Sequence, residues 1–194
     1  MVVIVGHDFH FGYRGEGTPQ KLQALCAQLG LGCDVVSKVE RNGLVVSSTY
    51  IRSLNAQGEM ARAVALLGHP YALTGTVDHG KGLGAELGVP TANLQLPAGL
   101  LVPARGVYAA QAALADGSHR PTVVNIGVRP TVDDGDGLTV EGHLLDFDGD
   151  LYGRELRLEL YDYLRPERRF ASLDDLRAEV LANARQVRAY FGGK

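Results

Sequence analysis

Cysteine is nearly absent: Cys26 and Cys33 are the only two in the chain. Their spacing fits neither a metal site nor a redox pair. A small secreted scaffold would carry more of them, so a reducing, cytoplasmic compartment is expected. A basic excess is also missing. The formal net charge is −3, from 19 Lys and Arg against 22 Asp and Glu. That gives no electrostatic case for a nucleic-acid partner, and no basic run marks a membrane surface. No apolar run nears the roughly 18 residues of a membrane helix. The opening MVVIVGHD has too short an apolar run, and no basic flank, for a signal peptide. Internal repeats and low-complexity segments are likewise missing. What is present is apolar content, 45% of 194 residues, enough for a core in one large or two small domains.

Two textures follow one another along the chain. In the first, VVIV at 2–5 is a β-branched run suited to a strand covered on both faces. Residues 18–29 predict a helix with Thr18 as N-cap and Pro19 at the first helical position, stopped by Gly30. A strand at 33–37 and helices at 48–57 and 59–67 complete an α/β segment. After Pro70, strands are expected at 71–79, 106–115, 121–128, 138–147 and 154–163. In RELRLELYDY, Leu156, Leu158 and Leu160 alternate with Arg157, Glu159 and Tyr161. Strands at this spacing suggest an antiparallel barrel or sandwich. A final helix over about 173–191 has a capping-box start at Ser172 and Asp175. Its stripe of Leu173, Leu176, Val180, Ala184, Val187 and Phe191 reads as a packing face. The boundary between the textures falls near residue 70.

Chemistry is suggested first by GKGLGAELG at 80–88. Gly80, Gly82 and Gly84 permit close approach of backbone N–H groups to phosphate oxygens, although a glycine-rich hairpin has the same composition. Lys81 is followed by Gly82, which excludes a Walker loop. No helix follows, which excludes a dinucleotide fingerprint. PTANLQLP comes next instead, and there an extended backbone would put the neutral oxygens of Thr91 and Asn93 on one side. Such oxygens suit Mg²⁺ whose charge a triphosphate balances. Local side-chain bonds in a turn would use the same residues. In LTVEGHLL, alternation sets Thr139, Glu141 and His143 on one face, opposite Leu138, Val140 and Leu144. Glu141 there faces either a cavity or solvent, and a structural role is expected for His143. Asp146, Asp148 and Asp150 in DFDGDLYG read as a turn.

The run from Gly80 through Leu94 resembles the nucleotide-binding flap and PTAN motif of riboflavin kinases. The resemblance continues, in the family's order, through NIGVRPT at 125–131, VEGHLLDFDGDLYG at 140–153 and LRPERRF at 164–170. It covers essentially all of residues 71–194. It implies a small antiparallel Greek-key β-barrel with a C-terminal helix. It implies ATP, Mg²⁺ and riboflavin as ligands, with FMN and ADP as products. It also implies Gly80, Gly82, Gly84 and Thr91 at the nucleotide, Thr91 and Asn93 at the metal, and Glu141 as catalytic base. Arg165, Arg168 and Phe170 match the region that meets the flavin. Ala85 and Glu86 stand where the family often has a basic or hydroxyl-bearing residue late in the flap.

GHDFHFG at 6–12 and VSSTYIR at 46–52 resemble the second half of the FMN adenylyltransferase domain of bacterial bifunctional flavin enzymes. The matching residues are Asp8, Phe9 and Phe11, then Ser47, Ser48, Thr49 and Arg52. The HxGH motif of that domain occurs nowhere in the chain. Residues 1–70 are therefore expected to be the C-terminal part of a Rossmann-like nucleotidyltransferase domain, and adenylyltransferase activity is expected to be lost. Two other functions fit the same motifs. One is FAD synthesis completed by a separate chain. The other is a flavin-binding module without catalysis, against which intact Thr91, Asn93 and Glu141 speak.

Overall fold

A computed structural model of the chain describes residues 1–79, 89–128 and 137–192. Contacts divide it into two units, Met1–Ser47 and Ser48–Lys194. In the first, strand β1 (Val2–Gly6) is followed by helix α1 (Pro19–Gln28) and strand β2 (Gly32–Val36). Thr18 caps α1, its hydroxyl accepting from the Lys21 N–H, and Pro19 opens it. β1 and β2 pair in parallel, a β-α-β unit. The expectation that VVIV is covered on both faces is not met here. Val2 and Ile4 stay exposed, because this sheet has two strands and α1 contacts it. A two-stranded ribbon, β3 (Glu40–Arg41) and β4 (Leu44–Val45), completes the unit.

The second unit opens with helices α2 (Ser48–Ala56) and α3 (Met60–Leu67). They group with the strands after them because Met60, fully buried, belongs to the interior cluster those strands enclose. The Ala104 N–H also donates to the Asn55 carbonyl at 2.9 Å. Strands β5 (Tyr71–Asp78), β6 (Ala92–Gln95), β7 (Gly106–Ala113), β8 (His119–Val128), β9 (Leu138–Leu144) and β10 (Glu155–Arg165) close into a barrel in the order β10-β5-β6-β9-β8-β7. β7, β8 and β9 are successive antiparallel neighbours, and β10 returns to lie beside β7. That is the Greek-key connection. Closure settles barrel against sandwich and removes exposed sheet edges.

The alternation seen in β10 fills the interior: Leu156, Leu158 and Leu160 are all within 1% of complete burial. It then breaks. Register shifts against β7 after Leu160 and after Tyr163 turn Tyr163 inward, where its ring meets Tyr108 edge-on at 5.1 Å. Bulges re-aim side chains in this way. Gly106 (φ 150°) makes room, since a side chain there would strike the Tyr163 ring and the Arg165 carbonyl.

Helix α4 (Leu173–Gly192) lies against the outside of the barrel. Ser172 caps the helix as expected, its hydroxyl accepting from the Asp175 N–H at 3.1 Å and donating to the Asp175 carboxylate at 2.8 Å. Ala184 and Val187 bury against Val107, Ala109 and Val123 of β7 and β8. This outer layer explains why β7 is buried on both faces over most of its length. Only the later half of the expected stripe packs this way. Leu173 is exposed, and Leu176 and Val180 stand off from the wall and line a cavity.

Candidate active site

The register of the barrel sets the site. Asn93 of β6 lies opposite Glu141 of β9, and Glu141 lies opposite Asn125 of β8. Directly opposed residues of neighbouring strands project to the same face. The flanking Ala92, Leu94 and Val140 point into the interior cluster, so this row faces outward. One step further round, Asn125 is opposite Val107, and Val107 is opposite Arg165. Five strands thus present one continuous outer row, from a carboxamide at one end to a guanidinium at the other.

Between this wall and the first half of α4 is a cavity of about 260 Å³. Glu141 and Thr91 line it, with Arg165, Arg168 and Phe170 of the segment leading to α4. Five of the residues singled out from the sequence therefore share one space. Apolar surface comes from Val107, Val123, Leu176 and Val180. Such a mix, mostly apolar with a few fixed polar groups, is typical of a small-molecule site. Asn93 lines a different, larger cavity of about 480 Å³ with Asp78, Gln95 and Leu138. Leu138, on the inward face by alternation, is exposed at the barrel mouth. A third space, about 420 Å³, is bounded by Thr91, Val77, Leu144, Phe147, Asp150 and Tyr152 among others. Thr91 lines both this space and the Glu141 cavity.

The basic side of the site is neutralised from α4. Glu179 takes the Arg165 Nε at 2.8 Å and also pairs with Arg168. Asn183, buried, accepts from the same Arg165 nitrogen at 3.3 Å. Burial lowers the pKa of Arg165, and Glu179 opposes that shift. The Phe170 ring has the Arg168 guanidinium carbon 5.0 Å from its centroid and that of Arg165 at 5.9 Å. Cation–π contacts of this kind hold the ring's orientation. The Glu167 side chain lies over Gly127, where any side chain would collide with it. Sequence reasoning missed Asn125, Glu167, Glu179 and Asn183. Alternation along β8 from the NIG motif would have brought Asn125 to the outer face. The other three carry no local signal.

The remaining expected residues are outside either the described residues or this cavity. Gly80, Gly82, Gly84, Ala85, Glu86 and residues 129–131 of NIGVRPT are outside the described residues. Asp8, Phe9 and Phe11 lie in the first unit, with the two rings stacked at 5.9 Å, and Ser47 is that unit's last residue. Ser48, Thr49 and Arg52 lie on α2. Asp146, at φ 55°, sits in a turn after β9 as its composition predicts. No group of three or more His, Cys, Asp or Glu has metal-holding geometry among the described residues.

Fold and site together define a Greek-key barrel protein with a small-molecule cavity on its outer wall. Comparison with known proteins makes this specific. The riboflavin kinase family model matches residues 67–191, and an FAD synthetase model matches residues 1–50. The chain belongs to the riboflavin kinase family. A bifunctional riboflavin kinase/FMN adenylyltransferase from Pseudomonas fluorescens is 45% identical over 186 residues, covering 95% of this chain and 59% of its own length. The protein of the same description from Escherichia coli K12 is 40% identical over 188 residues, covering 97% of this chain and again 59% of its own length. The chain thus spans about three fifths of these relatives. A crystal structure described as a macrolide-efflux protein from Streptococcus pneumoniae superposes with a TM-score of 0.84 at 29% identity, over 96% of this chain and 60% of that one. No described helix here is long and apolar enough to cross a membrane.

Proposed function

We propose that this chain is a cytoplasmic riboflavin kinase, moving the γ-phosphate of ATP onto the 5′-hydroxyl of riboflavin to give FMN and ADP. Residues 71–194 form the kinase domain in this reading. Residues 1–70 correspond to the C-terminal part of an FMN adenylyltransferase-like domain. The observation that carries it is the single cavity shared by Glu141, Thr91, Arg165, Arg168 and Phe170.

Phosphoryl transfer needs mainly positioning and charge neutralisation. Phe170 and the apolar wall suit the flavin ring, and the two arginines lie beside it. Glu141 accepts the proton of the 5′-hydroxyl as its oxygen bonds to the γ-phosphorus and the bond to the β,γ-bridging oxygen breaks. Thr91 lies on both the Glu141 cavity and the space beside Phe147 and Tyr152. A nucleotide seated in that second space would direct its terminal phosphate past Thr91 toward Glu141. Thr91 and Asn93 line different cavities, so their neutral oxygens would hold Mg²⁺ together only with the nucleotide phosphates between them, and Gly80, Gly82 and Gly84 would complete the proposed nucleotide contacts. Mg²⁺ held there would supply charge neutralisation to the phosphates.

Incubation of the chain with riboflavin and Mg-ATP, with FMN and FAD followed separately, tests this. FMN without FAD is expected. Absence of both would refute the kinase reading. FAD formed from FMN would favour an adenylyltransferase role for the first seventy residues, which the match at residues 1–50 leaves as the second reading.

A further inference from the structure

His143 stands two residues beyond Glu141 on the same outward face of β9 and lines the same cavity. Its Nδ1 is 2.8 Å from the Pro90 carbonyl oxygen, across 53 residues of sequence. A carbonyl only accepts, so Nδ1 carries the proton and donates. β6 pairs with β9 only from Ala92 to Leu94. Pro90 and Thr91 therefore lie just past the end of the ladder. One further step of the same register would set Thr91 opposite His143. Pro90 has no N–H, so its carbonyl is its single backbone hydrogen-bonding group. Where the ladder stops, the His143 side chain takes over from the backbone in holding this segment against β9.

We propose that His143 is a positioning residue for Thr91. By fixing the Pro90 carbonyl, it holds the Thr91 hydroxyl at the junction of the two spaces that Thr91 lines, where a nucleotide phosphate with its Mg²⁺ would pass. This rests on the kinase reading for the identity of the nucleotide. It assigns His143 no proton transfer.

The test uses two substitutions of similar bulk. In H143N the amide nitrogen sits close to the place of Nδ1, and in H143Q it reaches toward that of Nε2. Mg-ADP affinity is measured by calorimetry, riboflavin affinity by quenching of flavin fluorescence, and folding by thermal melts. H143N is expected to stay within about threefold of the parent chain in Mg-ADP affinity. H143Q should fall about tenfold, the scale of one lost hydrogen bond. KM for Mg-ATP should follow the same order, and riboflavin affinity in H143Q should fall clearly less than Mg-ADP affinity does. Equal Mg-ADP affinity in all three proteins would overturn the proposal. So would H143N losing as much as H143Q, or riboflavin affinity falling in parallel. A parent chain that binds Mg-ADP yet makes no FMN refutes the kinase reading alone, and the two variants still decide the role of His143. A parent chain that binds no Mg-ADP refutes both.

Discussion

Glu141 gains its meaning from its neighbours. A lone strand carboxylate is ordinarily a solvated one, but this one is flanked across two strand pairs by Asn93 and Asn125 and opens on a partly apolar cavity. Replacing it with Gln keeps the shape and removes the base. Glu141→Gln is expected to lower turnover by about 10²–10⁴-fold while Mg-ATP still binds, as read from FMN formation and calorimetry. Near-normal turnover would remove the assignment. Phe170 is the matching test on the flavin side. Its ring lines the cavity beside two guanidinium groups that line it too. Aromatic contacts contribute roughly 0.5–1.5 kcal/mol beyond buried area, so Phe170→Ala should weaken riboflavin binding by about tenfold or more. Nucleotide affinity should not change. A fluorescence titration that matched the parent chain would argue that the flavin sits elsewhere.

At the scale of elements, α4 does two jobs with one stripe. Its later turns pack on β7 and β8, while Leu176 and Val180 in its earlier turns form a wall of the site. Glu179 ties those earlier turns to Arg165 and Arg168. A second tie joins the helix to the turn after β9: Arg188 holds Asp146 through nitrogens 2.9 and 3.3 Å away. That hydrogen bond, chiefly, pushes the Asp146 pKa below its ordinary 3.8. A depressed carboxylate pKa contributes stability that is fully present above the unfolded value and lost as pH falls through the native one. The parent chain should therefore melt slightly above Asp146→Asn at neutral pH, and the gap should close as pH drops below 3.8. The pair is exposed, so the gap should be small and should shrink with salt. A gap that persisted in acid would show that the asparagine acts through something other than lost charge. Alternation and capping chemistry made most of these elements legible, because both are local. The turning of Tyr163 was not, because the bulges in β10 answer to β7, some fifty residues earlier in the chain.

For the whole molecule, the barrel wall positions the site, so stability and function share residues. Leu158 sits fully buried on β10, in register with Leu73 on one side and Ala112 on the other. Leu158→Ala should cost about 2–5 kcal/mol in urea unfolding, the range for a buried leucine whose site relaxes only partly. A cost under about 1 kcal/mol would mean that the interior repacks freely. The change of texture near residue 70 was visible in composition, yet α2 and α3 count with the barrel in the structure, since Met60 fills its interior. What the sequence determined by itself was the kind and order of most elements, though not strands β3, β4 and β6, together with the caps of α1 and α4 and the succession of motifs from PTAN to LRPERRF. Those are encoded by period, turn residues and spacing along one chain. Only the tertiary structure decided that Thr91, Glu141 and Arg165 line one cavity, and that Glu179 and Asn183 hold the arginine there. It alone set Asn93 and Asn125 on either side of Glu141 and joined His143 to Pro90. These contacts depend on strand register, the closure of the barrel and the docking of α4. A one-residue slip in any pair would have sent the same side chains to the opposite face.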